Sequence, residues 1–183
     1  MAYANKIISH PKTGQEIRFV RTAKDTAGQV LEMESRFQPH SKEPVPHYHP
    51  VQTEHFTALS GAIRVRLADT ILTLEEGDTL CIPPNTVHSM WNPFDQKAVV
   101  RWWVEPALRT EHFLETGMGL ARDGKTNEAG MPPLLQVALM ANKYAGEFRL
   151  AKPPFWLQRV LFTLLSPLAR LKGYRATYTE YLD

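Results

Sequence analysis

The residues with the clearest chemical potential are His47-Tyr48-His49, then Glu54, then His88 further along the chain. Side chains at i and i+2 of a strand leave the same face, so the imidazoles of His47 and His49 can share one ion. Glu54 stands five residues after His49, an odd separation that would put it on the opposite face of one continuous strand. Pro50-Val51-Gln52-Thr53 offers a turn, so Glu54 can start a returning strand that faces the same interior. His88 arrives from a later strand, after the turn residues Pro83-Pro84-Asn85. Three imidazoles and one carboxylate suit Fe, Mn, Ni, Co, Cu or Zn better than Mg or Ca. The expected chemistry is that of one divalent transition metal held by His47, His49, Glu54 and His88.

Such donors must be positioned by strands, and the sequence supplies them. Up to about residue 105, short apolar runs with partial alternation are separated by Gly14, Gly28, Gly61, Asp69, Gly77, Asn85 and Pro93. Many short strands at even spacing predict a mainly β sandwich or barrel. Pro39, Pro44, Pro46 and Pro50 make the stretch before the histidines loop and strand edge. After Pro106 the period changes to a helical one. Phe113, Leu114, Met118 and Ala121 form one stripe, weakened by Gly117 and Gly119. A second runs from Leu134 through Ala138, Ala141 and Ala145 to Phe148, and a third from Leu157 to Leu171.

The spacings resemble those of the cupin superfamily. Its first motif is His-x-His, four residues, Glu, six residues, Gly, which His47, His49, Glu54 and Gly61 satisfy. Its second motif is satisfied by Gly77, Pro83, His88 and Asn92. Two positions depart: Ser41 stands where the first motif opens with Gly, and Asn85 replaces the Gly after Pro83-Pro84. Asn is the residue after Gly that best tolerates a left-handed backbone, so the second turn is expected to survive.

The resemblance implies a cupin (jelly-roll, double-stranded β-helix) barrel over residues 1–106; it stops there, and the helical period alone gives residues 107–183 as C-terminal α-helices packed on the barrel or on a partner. It also implies a small-molecule ligand, a homodimer, and open metal positions for water and substrate. Similar proteins include dioxygenases, isomerases and decarboxylases. The chain is therefore expected to be a metal-dependent enzyme, dioxygenase-like or isomerase-like, in which the metal acts as Lewis acid or activates dioxygen and Glu54 doubles as a catalytic base. The alternative is a binding or sensing module without turnover. Phe56 and Ala58 share parity with Glu54, and Thr86, Met90 and Asn92 with His88; as pocket residues they would favour an apolar or aromatic substrate.

Composition narrows the field. A chain of 183 residues with 43% hydrophobic and 22% charged residues is ordinary for one globular domain or a domain with an appendage. The net charge of +2 gives no reason to expect nucleic acid. The sole cysteine, Cys81, excludes an intrachain disulfide and is expected to be a small buried hydrophobe. The first twenty residues carry no secretory pattern, and a cytoplasmic location is expected. His55 should point away from the metal by strand parity, and His10, His40 and His112 fall in turn or helix contexts. From Arg149 to Thr179 there are six Lys or Arg and no Asp or Glu, beside a wide leucine face. A basic amphipathic helix can lie on an anionic membrane surface. Packing of that stripe on the barrel or on a second subunit is the favoured expectation.

Overall fold

The structure, a computed structural model, describes residues 2–182. Its strands are β1 (Ile7–Ser9), β2 (Glu16–Arg21), β3 (Leu31–Phe37), β4 (His47–Tyr48), β5 (Thr53–Ser60) and β6 (Ile63–Leu67). They continue with β7 (Thr70–Leu74), β8 (Thr79–Ile82), β9 (His88–Trp91), β10 (Ala98–Glu105) and β11 (Arg149–Leu150). The helices are α1 (Thr110–Arg122), α2 (Leu134–Lys143) and α3 (Phe155–Leu171), with a final 3₁₀ turn at Thr179–Tyr181.

Two antiparallel sheets form a predominantly β fold. One has the order β1-β2-β3-β10-β5-β8 and the other β11-β4-β9-β6-β7. Alternation along the strands creates the core between them. Phe56 and Ala58 of β5 and Val100 of β10 point inward from the first sheet, and Ile63 and Val65 of β6 meet them from the second. A second apolar layer lies under α1, where Met118 covers Phe19, Met33 and Val104. Full burial of a side chain such as Phe19 contributes about 1.5–3 kcal/mol to such a core.

The turns behave as their residue types require. Asn85 takes φ 64°, the left-handed backbone expected where it replaces Gly. Ser41, the other departure from the motif, bridges to Asn92 instead. Its hydroxyl accepts the Asn92 N–H at 2.7 Å, and its own N–H donates to the Asn92 carbonyl at 2.8 Å. Cys81 is exposed, contrary to the sequence expectation. On β8, Leu80 and Ile82 face inward, and the same alternation turns Cys81 out.

The helical stripes differ in fate. The second one is shorter than its apolar period: α2 stops at Lys143, and Gly146 follows in a turn that carries Phe148 away from the helix axis. The Tyr144 carbonyl accepts the N–H groups of Glu147 and Phe148 in this turn. On α3 the buried residues are Gln158, Phe162 and Ala169, while the leucine stripe faces outward and is left uncovered by the rest of the chain.

Candidate metal centre

The strand β4 brings His47 directly opposite His88 of β9, as a cross-strand pair in the second sheet. His49 lies just past the end of β4, and its carbonyl accepts the N–H of Asn85, which ties the first turn to the second. Glu54 comes from the facing sheet, on β5, where it is paired with Ile82 of β8 and Val104 of β10. A bend at Pro50 and Val51 carries the chain from the second sheet to the first, so the parity of one continuous strand does not hold between His49 and Glu54.

One ring nitrogen from each of His47, His49 and His88 can be chosen so that all lie within 4.8 Å of one another. Glu54 Oε2 is 2.8 Å from His88 Nε2 and 3.2 Å from His49 Nε2. Ligand atoms about 2.0–2.2 Å from a shared ion are themselves about 3–4 Å apart, so the Glu54 spacings to His88 and His49 fit one ion. His49 Nε2 and Glu54 Oε2 are buried without a hydrogen-bond partner, because their close approach lacks hydrogen-bond direction. A buried donor set left unpaired in this way has the chemistry of a cation site.

The outer ring nitrogens explain the orientation. Nδ1 of His49 lies 2.5 Å from the Glu147 carbonyl, Nδ1 of His88 lies 2.9 Å from the Thr86 carbonyl, and Nδ1 of His47 lies 3.4 Å from the Val45 carbonyl. A carbonyl can only accept, so each imidazole presents Nδ1–H outward and keeps a lone pair on Nε2. Backbone carbonyls in this position fix the tautomer of metal-ligating histidines.

Electrostatics distinguish His47 from His49. Burial, helped by the neighbouring His88 and His49, pushes the His47 pKa down to about 3, so this ring is neutral at physiological pH. Burial also opposes charge on His49, but the Glu54 carboxylate and the Glu147 carbonyl outweigh it and raise its pKa. Burial alone would push Glu54 up; the adjacent His49 and His88 hold it well below the usual carboxylate range.

Two contributions to the site lie outside the motif residues. Trp102 on β10 donates its indole N–H to Glu54 Oε1 at 2.9 Å. Strand parity with Val100 and Val104 on β10 is the signal that points to it. The second contribution comes from the helical extension. Phe148 stacks on His47 at 4.6 Å, and Glu147 supplies the carbonyl for His49. No local pattern links residues so far apart in the chain.

A cavity of about 220 Å³ opens on the cluster. Phe56, Met90 and Trp102 line it from the barrel, and Phe113, Leu114 and Phe148 from the extension. Of the expected pocket residues, Phe56 and Met90 are there. Ala58 sits deeper, in the core. The Asn92 amide is spent on backbone, donating to the Gln96 carbonyl at 2.7 Å. Thr86 serves through its carbonyl alone. His55 points away as expected, 2.8 Å from Glu105 and stacked on Trp103. His10, His40 and His112 lie beside Gly130, Asp95 and Glu111, outside the cluster.

An antiparallel double sheet with inward imidazoles from one sheet and a carboxylate from the other defines a small barrel protein with a possible single-metal centre. The Cupin domain family model matches residues 33–104, which span the cluster from β3 to β10, so this part of the chain is a cupin domain. It is 30% identical over 125 residues to an oxidoreductase of Arthrobotrys oligospora, covering 63% of this chain and 47% of that one. It is 37% identical over 78 residues to the quercetin 2,3-dioxygenase of Bacillus subtilis, covering 42% of this chain and 23% of that one. The matches thus span less than half the length of either relative. Among solved structures, a predicted oxalate decarboxylase of Thermotoga maritima aligns with TM-score 0.49 and 16% identity over 56% of this chain and 92% of that one.

Proposed function

We propose that the chain is a metal-dependent cupin enzyme of the oxygenase or isomerase type, acting on an apolar or aromatic small molecule. The single observation that carries this reading is the unpaired Nε2 and Oε2 donor set at the floor of an aromatic cavity. His47, His49, Glu54 and His88 would hold one divalent transition metal. When bound, the metal supplies Lewis acidity toward a substrate oxygen, and a redox-active metal adds the ability to engage dioxygen. The aromatic and aliphatic walls bind and orient an apolar body and exclude water from the donors. Glu54, held as a carboxylate, is assigned first to anchoring the ion; its depressed pKa makes it a weak proton acceptor until it loosens from that role. The similarity to a quercetin dioxygenase and to an oxidoreductase supports the oxygenase branch.

The direct test is oxygen uptake by the Fe(II)-loaded protein with a panel of flavonols, diketones and catechols. Turnover that disappears on chelation is expected. Absence of turnover with every divalent metal and across the panel, while metal stays bound, would replace the enzyme with a metal-dependent binding or sensing module.

Trp102 gives a separate prediction. Trp102→Phe keeps most of the ring area and removes the N–H that fixes Glu54 Oε1. Metal affinity is expected to fall about tenfold, as it does when such outer partners are lost. Competition with a chromogenic chelator measures it, and unchanged affinity would show that Glu54 needs no such anchor.

A further inference from the structure

The face of α3 that points away from α2 is apolar, with cations along one edge and at the helix ends. At about 100° per residue, Trp156, Leu157, Val160, Leu161, Leu164, Leu168 and Leu171 fall within an arc of about 140°. All seven are exposed, Leu164 at 73% and Leu171 at 86%, although helices of soluble domains turn such stripes inward. The opposite face, with Phe162 and Ala169, is the one that packs on the protein; Asn142 of α2 donates to the Ser166 hydroxyl there at 3.1 Å. The stripe is therefore not an unsatisfied core face: α3 is already docked by its other side.

Charge decides what the stripe meets. Arg159 and Arg170 run along one edge of it, Lys152 precedes the helix and Lys172 and Arg175 follow it, and none of these five is paired with a carboxylate among the described residues. A second copy of this chain docked here by two-fold symmetry would bring both sets of these cations into one interface, since an isologous interface meets its own surface. An anionic lipid surface offers the opposite charge and takes up leucine side chains together. Trp156, 68% exposed at the first turn, is the side chain favoured at the headgroup boundary. No helix of the described residues is long and apolar enough to cross a membrane, so α3 would lie along the surface rather than span.

We infer that α3 docks the protein on an anionic membrane surface, leucine stripe in the lipid and flanking arginines and lysines at the headgroups. The test is co-sedimentation of the full chain with vesicles of phosphatidylcholine alone or with about one-third phosphatidylglycerol, at about 0.1 and 0.5 M NaCl. Binding is expected to the anionic vesicles at low salt, to weaken at least about fivefold at high salt, and to be slight on neutral vesicles. The double variant Leu164→Glu/Leu168→Glu should lose binding more than about tenfold, and because both side chains are exposed it should keep the parent's circular dichroism and metal content. Failure of the parent to sediment with anionic vesicles would overturn the inference. So would a concentration-dependent dimer, seen by analytical ultracentrifugation, that the leucine variant dissolves while vesicle binding is absent; a second copy would then be the occupant.

Discussion

Replacing His47 and His88 together by alanine should leave the protein folded and nearly metal-free. Elemental analysis of chain purified without added metal is expected to find about one ion per parent chain and less than about a tenth of that in the variant. The two residues are a cross-strand pair, so both substitutions fall at one rung of the β4–β9 ladder and leave its backbone pairing intact. The apolar core between the sheets lies deeper and keeps its side chains. What remains, His49 and Glu54, is a donor pair too small to hold a transition metal through purification. A variant that retained the parent's metal would show that the ion sits on other residues.

The acid side of the same experiment follows from the protonation states. A metal competes with protons for lone pairs. The raised pKa of His49 means that this ring carries a proton below its own pKa, above the ordinary 6.5, and must release it to bind metal. His47, with its pKa near 3, is already neutral over that range and releases none. Metal affinity should therefore fall as pH drops below the raised His49 pKa, with His49 contributing a tenfold loss per pH unit and His47 nothing above about pH 4. Isothermal titration in buffers of different ionisation enthalpy counts the released protons. A count of three at pH 6 would contradict a pre-neutralised His47.

The donor cluster was legible in the sequence because its logic is local. His47 and His49 share a face by strand parity, and the turn residues at 50–53 and 83–85 stand where the chain passes from one sheet to the other. The jelly-roll pairing itself came through the motif resemblance, since alternation alone left sandwich and barrel open. Two things did not show. Trp102 was half hidden: parity turns it inward, but an inward tryptophan on a strand reads as core, and nothing in the pattern says that its indole N–H reaches Glu54. Glu147 and Phe148 were hidden for a stronger reason. Phe148 fits the apolar period of α2, so the pattern assigns it to a helix face, whereas the turn after Lys143 sends it to the imidazoles. Cys81 failed by a single step of parity, since a small apolar residue on an alternating strand is buried or exposed by register and not by type.

The turn that brings Glu147 and Phe148 to the histidines is held by one ion pair, and removing it should cost both stability and metal. Arg109, just before α1, donates through Nε to Glu147 Oε1 at 2.7 Å and through its terminal nitrogen to the Lys143 carbonyl at 2.9 Å. The Glu147 side chain is only 3% exposed, and that of Arg109 is 49% exposed. Arg109→Met thus leaves a carboxylate in the interior without its counter-charge. Breaking a fully buried pair costs about 3–5 kcal/mol; with one partner half in water, a loss of about 2–3 kcal/mol is expected, or about 4–12 °C in melting temperature for a chain of this size. To escape burial, the carboxylate must pull the turn toward solvent, and the same turn carries the carbonyl that orients His49 and the ring stacked on His47. Metal affinity should therefore fall with stability, by about tenfold or more. Adding Glu147→Gln to Arg109→Met removes the stranded charge and should recover a large part of both losses, which a purely apolar packing defect would not do. If Arg109→Met melted early but bound metal with the parent's affinity, the helical extension would be a passenger on the barrel and not a wall of its site.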